Sequence, residues 1–273
     1  MTEQSKALTP VQRLKNTIAM PSVQEQFRNA MADNAPLFMA SLIELFTSDK
    51  GLQECDPSAV CKEALKAASV KLPINKNLGF AWIIARKERG TPKPAMQIGW
   101  KGWVQLALRT GKYRYINAGI VWEGMEVDED TLTGAVTITG KRGGDKPLGY
   151  FAYFQLINGF EKTIYWSLEE MVSHMKQYVP GYDRPGSAWK TSFDEMAMKT
   201  VVSDLLRKWG ILSVEMMGAI DAERTEEVIA REAAENANTD TIDMDDNEVV
   251  DAEFDEPPKG DTKGGPSQPE MKF

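Results

Sequence analysis

Eight basic side chains fall between residues 86 and 114 (Arg86, Lys87, Arg89, Lys93, Lys101, Arg109, Lys112 and Arg114) against one acid, Glu88, with Trp100, Trp103 and Tyr113 set among them. Cations interleaved with aromatics suit a polyanion whose bases can stack. Ammonium and guanidinium groups neutralise phosphates, and a ring face takes any base at about 1–3 kcal/mol. Helical spacing over 101–110 puts Lys101, Gln105 and Arg109 on one stripe and Trp103, Leu106, Ala107 and Thr110 on the other. One side can pack while the other faces out, and Lys112 extends the basic side. Cations about 6 Å apart along a helix can follow a phosphate backbone. A solvated lysine face is the plainer alternative for this helix taken alone.

A second constellation lies at 188–209. At about 100° per residue, Trp189, Phe193, Met196 and Thr200 share a side. Ser192, Lys199, Ser203 and Arg207 lie on or beside it, and Met198, Val201, Val202 and Leu205 fall opposite. Lys190 adds a cation near the start. Trp189 and Phe193 are either part of a DNA-facing wall or simply core, and the spacing leaves both open. Taken together, the two regions point to sequence-independent binding of single-stranded nucleic acid. No helix-turn-helix, zinc finger or RNP motif offers base readout in a groove.

Other chemistries find little footing. Gly111-Lys112 runs into Tyr113 and Gly140-Lys141 into Arg142, and neither has the glycine five places earlier that a Walker A loop needs. Gly140–Gly144 (GKRGG) reads as a hairpin loop before a phosphate cradle. Asp128-Glu129-Asp130 reads as a solvated turn, and no convergent carboxylate set with a lysine suggests a nuclease. His174 is the single histidine, which excludes a two-histidine metal site within one chain. Cys55 and Cys61 do not have zinc-framework spacing. No catalytic residue, metal or cofactor is expected.

The elements that must position these residues change character along the chain. Pro21 opens a helix over Ser22–Asn34, Pro36 another through Thr47, and Asp56 caps a third from Pro57 to Val70. Val60, Ala64, Ala67 and Ala68 give the third a small-residue face. Strands are expected at 78–85 and 95–99 across a Lys/Arg/Pro-rich loop at 86–94, then a helix at 101–110 ended by Gly111. Further strands follow at 113–122, 134–139, 149–157 and 162–166, with Asn158-Gly159 as the clearest hairpin signal. Helices return at 168–177, 188–209 and 214–236. The class is α+β, an antiparallel β-sheet or meander flanked by helices, with a disordered acidic C-terminal tail.

The 273 residues are 42% hydrophobic and 26% charged, with a net charge of −8. That total hides a split: residues 221–273 carry 17 acids and 5 bases, a net of −12, leaving the rest at +4. A mildly basic body with an acidic tail suits an anionic ligand. No apolar run approaches the ~18 residues of a membrane helix. Two thiols and no hydrophobic leader read as a reducing cytoplasm. The expected organisation is an N-terminal helical region (1–56), an α+β core (57–212), a C-terminal helix (213–237) and the tail (238–273).

Four motifs in order give a resemblance. They are Leu78-Gly79-Phe80-Ala81-Trp82; Gly99-Trp100-Lys101-Gly102 followed by Leu106-Ala107-Leu108-Arg109-Thr110-Gly111; Val121-Trp122-Glu123-Gly124; and Phe193-Asp194-Glu195-Met196-Ala197-Met198-Lys199-Thr200. From about 20 to 215 the chain resembles the RecT family of phage single-strand annealing proteins. Ser203-Asp204 stands where relatives often carry two arginines, and Gly210 where proline is common. The resemblance implies an ATP-independent protein that coats single-stranded DNA, anneals a complementary strand into a duplex intermediate, and assembles as a homo-oligomeric ring or helical filament with a DNA groove. It implies a phage 5′→3′ exonuclease partner. The acidic tail reads either as a solubilising tail or as a docking segment for that exonuclease or a host single-strand-binding protein. Phosphates would meet Lys101, Arg109, Lys112, Arg114, Lys199 and Arg207, with Lys190 as a further contact. Trp103, Tyr113 or Phe193 would wedge or stack against bases. A protein that only protects single strands, and a phage assembly or scaffolding protein, are the rival readings.

Overall fold

The computed structural model describes residues 8–75, 77–88, 90–179, 181–211 and 213–223. Proline, a polar cap or both start each of the early helices. Thr9 and Gln12 form a reciprocal capping box on α1 (Pro10–Ala19), and Pro21 opens α2 (Pro21–Met31). A short 3-10 turn leads into α3 (Ala35–Ser48), and Asp49 caps the single turn α4 (Lys50–Gln53). The Asp56 carboxylate accepts from the Ala59 N–H at the start of α5 (Pro57–Ser69). The small-residue face of α5 is buried at Val60, Ala64, Ala67 and Ala68, where α1, α2 and the first hairpin pack on it.

That hairpin, β1 (Ala81–Glu88) and β2 (Thr91–Ile98), runs through the stretch expected as a loop. Its turn carries Gly90 at φ +86°, and pairing continues to Glu88↔Thr91. Pro92 and Pro94 are tolerated because β2 pairs with one strand only, so donors are not needed along its open edge. Helix α6 (Trp100–Arg109) follows, and Gly111 at φ +65° turns the chain away.

Strands β3 (Tyr113–Trp122), β4 (Met125–Asp130), β5 (Ala135–Gly140), β6 (Pro147–Leu156) and β7 (Glu161–Ser167) complete the β region. β6 lies between β3 and β7, all antiparallel, while β4 and β5 form a separate ribbon that interrupts the meander. β4 was expected as a turn. Its carboxylates Glu126, Asp128 and Asp130 sit opposite Thr139, Thr137 and Ala135 and face solvent, so strand pairing is compatible with so acidic a segment. Gly159 at φ +89° makes the β6–β7 turn.

The last helices are α7 (Leu168–Tyr178), capped by Ser167 and Glu170, then α8 (Ala188–Thr191), α9 (Phe193–Trp209) and α10 (Val214–Glu223). The single helix expected over 188–209 is broken at Ser192, whose φ −146° and ψ 53° are not helical. Tyr150, Ala152 and Phe154 on β6 turn inward against α9, which also contacts α6. The fold is α+β with antiparallel sheets and flanking helices. Among the described residues no helix is long and apolar enough to cross a membrane. The expected helix beyond Glu223 and the acidic tail lie outside the described residues.

Candidate nucleic-acid interface

Helix α6 is held against the residues before β1 by backbone contact, and two glycines permit it. A Cβ on Gly102 would fall on the Phe80 carbonyl oxygen, and one on Gly99 on the Gly79 carbonyl oxygen and the Trp82 ring. The Gly99 N–H donates to the Phe80 carbonyl at 2.9 Å. The Leu78–Trp82 and Gly99–Gly102 motifs are therefore two halves of one junction. Gly102→Ala is expected to destabilise by about 1–3 kcal/mol or more, because backbone, not a flexible side chain, would have to move. Thermal unfolding of the variant checks this, and an unchanged midpoint would refute it.

Two acids tie α9 to the same region. The Trp100 indole N–H donates to the Glu195 carboxylate at 2.6 Å, and the Tyr150 hydroxyl donates to Asp194 at 2.6 Å. Both acids sit in the first turn of α9, where the helix dipole favours negative charge. Burial, then the Asp194 carboxylate, raises the Tyr150 phenol above its usual range.

The cations fall in several places. Lys101 is exposed, with its ammonium 5.6 Å from the Trp100 ring centre. Lys112 and Arg114 are exposed at the start of β3, Lys190 is exposed on α8, and Lys199 and Arg207 are half-buried on α9. Lys101 lies near the N-terminal end of α9 through Trp100 and Glu195. Lys112 lies beside the far end, where the Ile211 N–H donates to the Tyr113 hydroxyl at 2.8 Å. The 17 residues of α9 span about 25 Å, so cations near its two ends do not form one cluster.

Burial places Trp103 and Tyr113 in the core, and Arg109, though exposed, has protein partners. Trp103 is 0% exposed, packed in the core with the Arg207 guanidinium 5.5 Å from its ring, so it has no face for a base. Tyr113 is buried edge-on to Phe154 at 5.3 Å, and burial raises its phenol pKa. It packs the core instead of wedging between bases. Arg109 donates to the carbonyls of Val70 at 3.0 Å and Lys71 at 2.9 Å, spending its fork on the end of α5. Phe193 is half-buried between Trp189 (5.6 Å) and Tyr150 (6.0 Å), and Trp189 is core.

Tyr115, Trp122 and Arg142 were not among the sequence candidates. Arg86 and Lys93 are directly opposed across the first hairpin. The Arg114 guanidinium lies 5.5 Å from the ring of Tyr115, itself 57% exposed. Arg142 stacks 3.8 Å from the Trp122 ring centre. The cross-strand register puts Tyr115 and Asn117 on one face with Gln155, Tyr153 and Phe151, opposite the buried face. Alternation within β3 and β6 was the signal that could have found that face.

Elsewhere, His174 sits 5.0 Å from both Trp166 and Tyr178 ring centres. Cys55 and Cys61 are buried free thiols, and burial pushes Cys61 up to about 11. Among the described residues no group of three His, Cys, Asp or Glu side chains could hold a metal ion.

The model of the RecT family matches residues 37–242. The chain is 40% identical over 249 residues to the uncharacterized protein YqaK of Bacillus subtilis (strain 168), covering 89% of this chain and 82% of that protein. It is 24% identical over 223 residues to Protein RecT of Escherichia coli (strain K12), covering 77% of this chain and 79% of that protein.

Proposed function

The chain belongs to the RecT family, whose members anneal single-stranded DNA in recombination, and from that premise we propose that it coats one strand and pairs it with its complement without ATP. The observation that carries this reading is the family match over residues 37–242, which contains the whole basic–aromatic region and α9. Lys101, Lys112, Arg114, Lys190, Lys199 and Arg207 meet phosphates. Arg86 and Lys93 join them at the first hairpin. Tyr115 and Phe193 are the aromatic candidates for bases.

The mechanism needs no nucleophile and no general base. Cations hold one strand extended with its bases outward. A second strand samples registers, and only extended Watson–Crick pairing yields a stable duplex. Specificity then lies in the pairing and not in protein contacts. A homo-oligomeric ring or filament concentrates weak sites along the strand, which multiplies their hold without new contacts. In this reading residues 1–56 serve subunit contact and 57–212 form the annealing core, with 213–273 following it. Residues 238–273 either keep the protein soluble or dock a phage 5′→3′ exonuclease or the host single-strand-binding protein, in the cytoplasm of the bacterial host.

The test mixes purified protein with a labelled oligonucleotide, then adds its labelled complement without nucleotide. Energy transfer reports pairing, and a noncomplementary strand is the control. Accelerated pairing with a persistent protein–DNA complex is the expected result. Tight binding without acceleration would instead identify a strand-protecting protein. No binding at low salt would sink both and leave the assembly-protein reading.

A further inference from the structure

One end of the three-stranded sheet carries exposed apolar side chains next to Lys112, where the proposed phosphate contacts end. Ile157 (66% exposed) and Phe160 lie on the β6–β7 turn, Trp209 (47%) ends α9, and Leu132 (94%) tips the β4–β5 hairpin. Lys162 joins three of these elements: its ammonium donates to the Gly134 carbonyl at 2.7 Å and lies 5.0 Å from the Trp209 ring centre. The Ile157 N–H donates to the Lys112 carbonyl, bringing a second lysine to the patch. Acids at this end are engaged locally. Glu161 accepts from Tyr153 and Gln155, Asp130 from the N–H groups of its own turn, and Asp204 from Lys208. The patch is therefore an apolar centre with a basic rim, including an exposed tryptophan of the kind that anchors interfaces.

A complementary surface exists elsewhere on the molecule. The outer stripe of α3 presents Leu37, 70% exposed, and exposed Ala40 beside Asp33 and Glu44. Residues 33–49 contain three acids and no lysine or arginine. Next to the stripe a groove of about 220 Å³ is lined by Leu45 and Ile74 together with Ser41, Glu44, Ser48, Asn75 and Asn77, whose hydrogen-bonding groups include one carboxylate. Helix α3 packs on α1, α2 and α4, while the other patch is built from α9 and the β-strands. The two surfaces lie on different parts of the fold, so each can be used without blocking the other.

We infer that the Trp209 patch of one copy docks on the α3 stripe of the next. This rests on the oligomeric reading above and names its surfaces. Joining two different patches makes a head-to-tail contact, and such contacts close into rings or extend into filaments, whereas a self-matching patch stops at a dimer.

The test uses full-length Trp209→Glu and Leu37→Glu, weighed by light scattering alone and mixed one to one, with circular dichroism to verify folding. Each variant alone should fall to the 30.5 kDa of a single chain. The mixture should weigh twice that and grow no further, because only one intact pair of surfaces remains. Ile157→Glu and Ala40→Glu should repeat the pattern. Variants that keep the wild-type assembly overturn the proposal, and so does a mixture that stays monomeric. Loss of oligonucleotide affinity by Trp209→Glu at unchanged mass would make the patch a nucleic-acid surface instead. A wild-type protein that is monomeric with and without oligonucleotide would sink the oligomeric reading itself, an outcome distinct from a wrong choice of surfaces.

Discussion

Trp103→Ala is expected to lower the unfolding free energy by about 3–5 kcal/mol, which is a large part of a typical domain's stability. Trp103 is among the largest fully buried side chains and packs where α6 meets α9. Truncation loses its transfer energy and leaves a cavity that two anchored helices cannot close. Trp103→Phe should cost much less, since it keeps most of the volume and removes an indole N–H with no hydrogen-bond partner among the described residues. Denaturant melts followed by circular dichroism measure both. If Trp103→Ala left stability intact but weakened single-strand binding, the side chain would be reaching a base and its placement in the core would be wrong.

Replacing Lys101, Lys112 and Arg114 together by alanine should weaken single-strand binding uniformly across sequences. It should flatten the plot of log affinity against log salt by about 0.7 per cation, about 2 in all. All three are exposed, and none carries the fold's core. Arg109→Ala should behave differently. Its guanidinium holds the Val70 and Lys71 carbonyls just past α5, so its loss should cost roughly 1 kcal/mol of stability and leave the slope nearly unchanged. Salt titrations of the triple variant and of Arg109→Ala distinguish the two roles. A triple variant with the wild-type slope would remove these cations from the DNA path.

Much of the local structure was legible because its causes are local. Asp56 followed by Pro57 opens α5, Gly111 ends α6, and Asn158-Gly159 turns β6 into β7, each by its own backbone chemistry. The stripe on α6 was legible for the same reason: helical spacing alone separates Lys101 and Arg109 from Trp103, Leu106 and Ala107. The first hairpin and β4 were misread because proline, lysine and carboxylate residues have low strand propensity. A ribbon with an open edge and a solvated face tolerates them.

The sequence by itself therefore determined the class of fold, the ends of most helices, the outward basic stripe and, through its ordered motifs, the family. Tertiary structure decided which aromatics face outward. Trp103 and Tyr113 stand in the same basic run as Lys101 and Arg114, yet both rings are buried through contacts with residues about forty positions away on β6 and about a hundred away in and just after α9. It also decided that Arg109 grips the end of α5, that Ser192 breaks the last long helix, and that Trp209 meets Lys162 at an exposed patch. Periodicity reports which residues share a face of one element. Only the packing of elements distant in sequence determines whether that face meets protein or water.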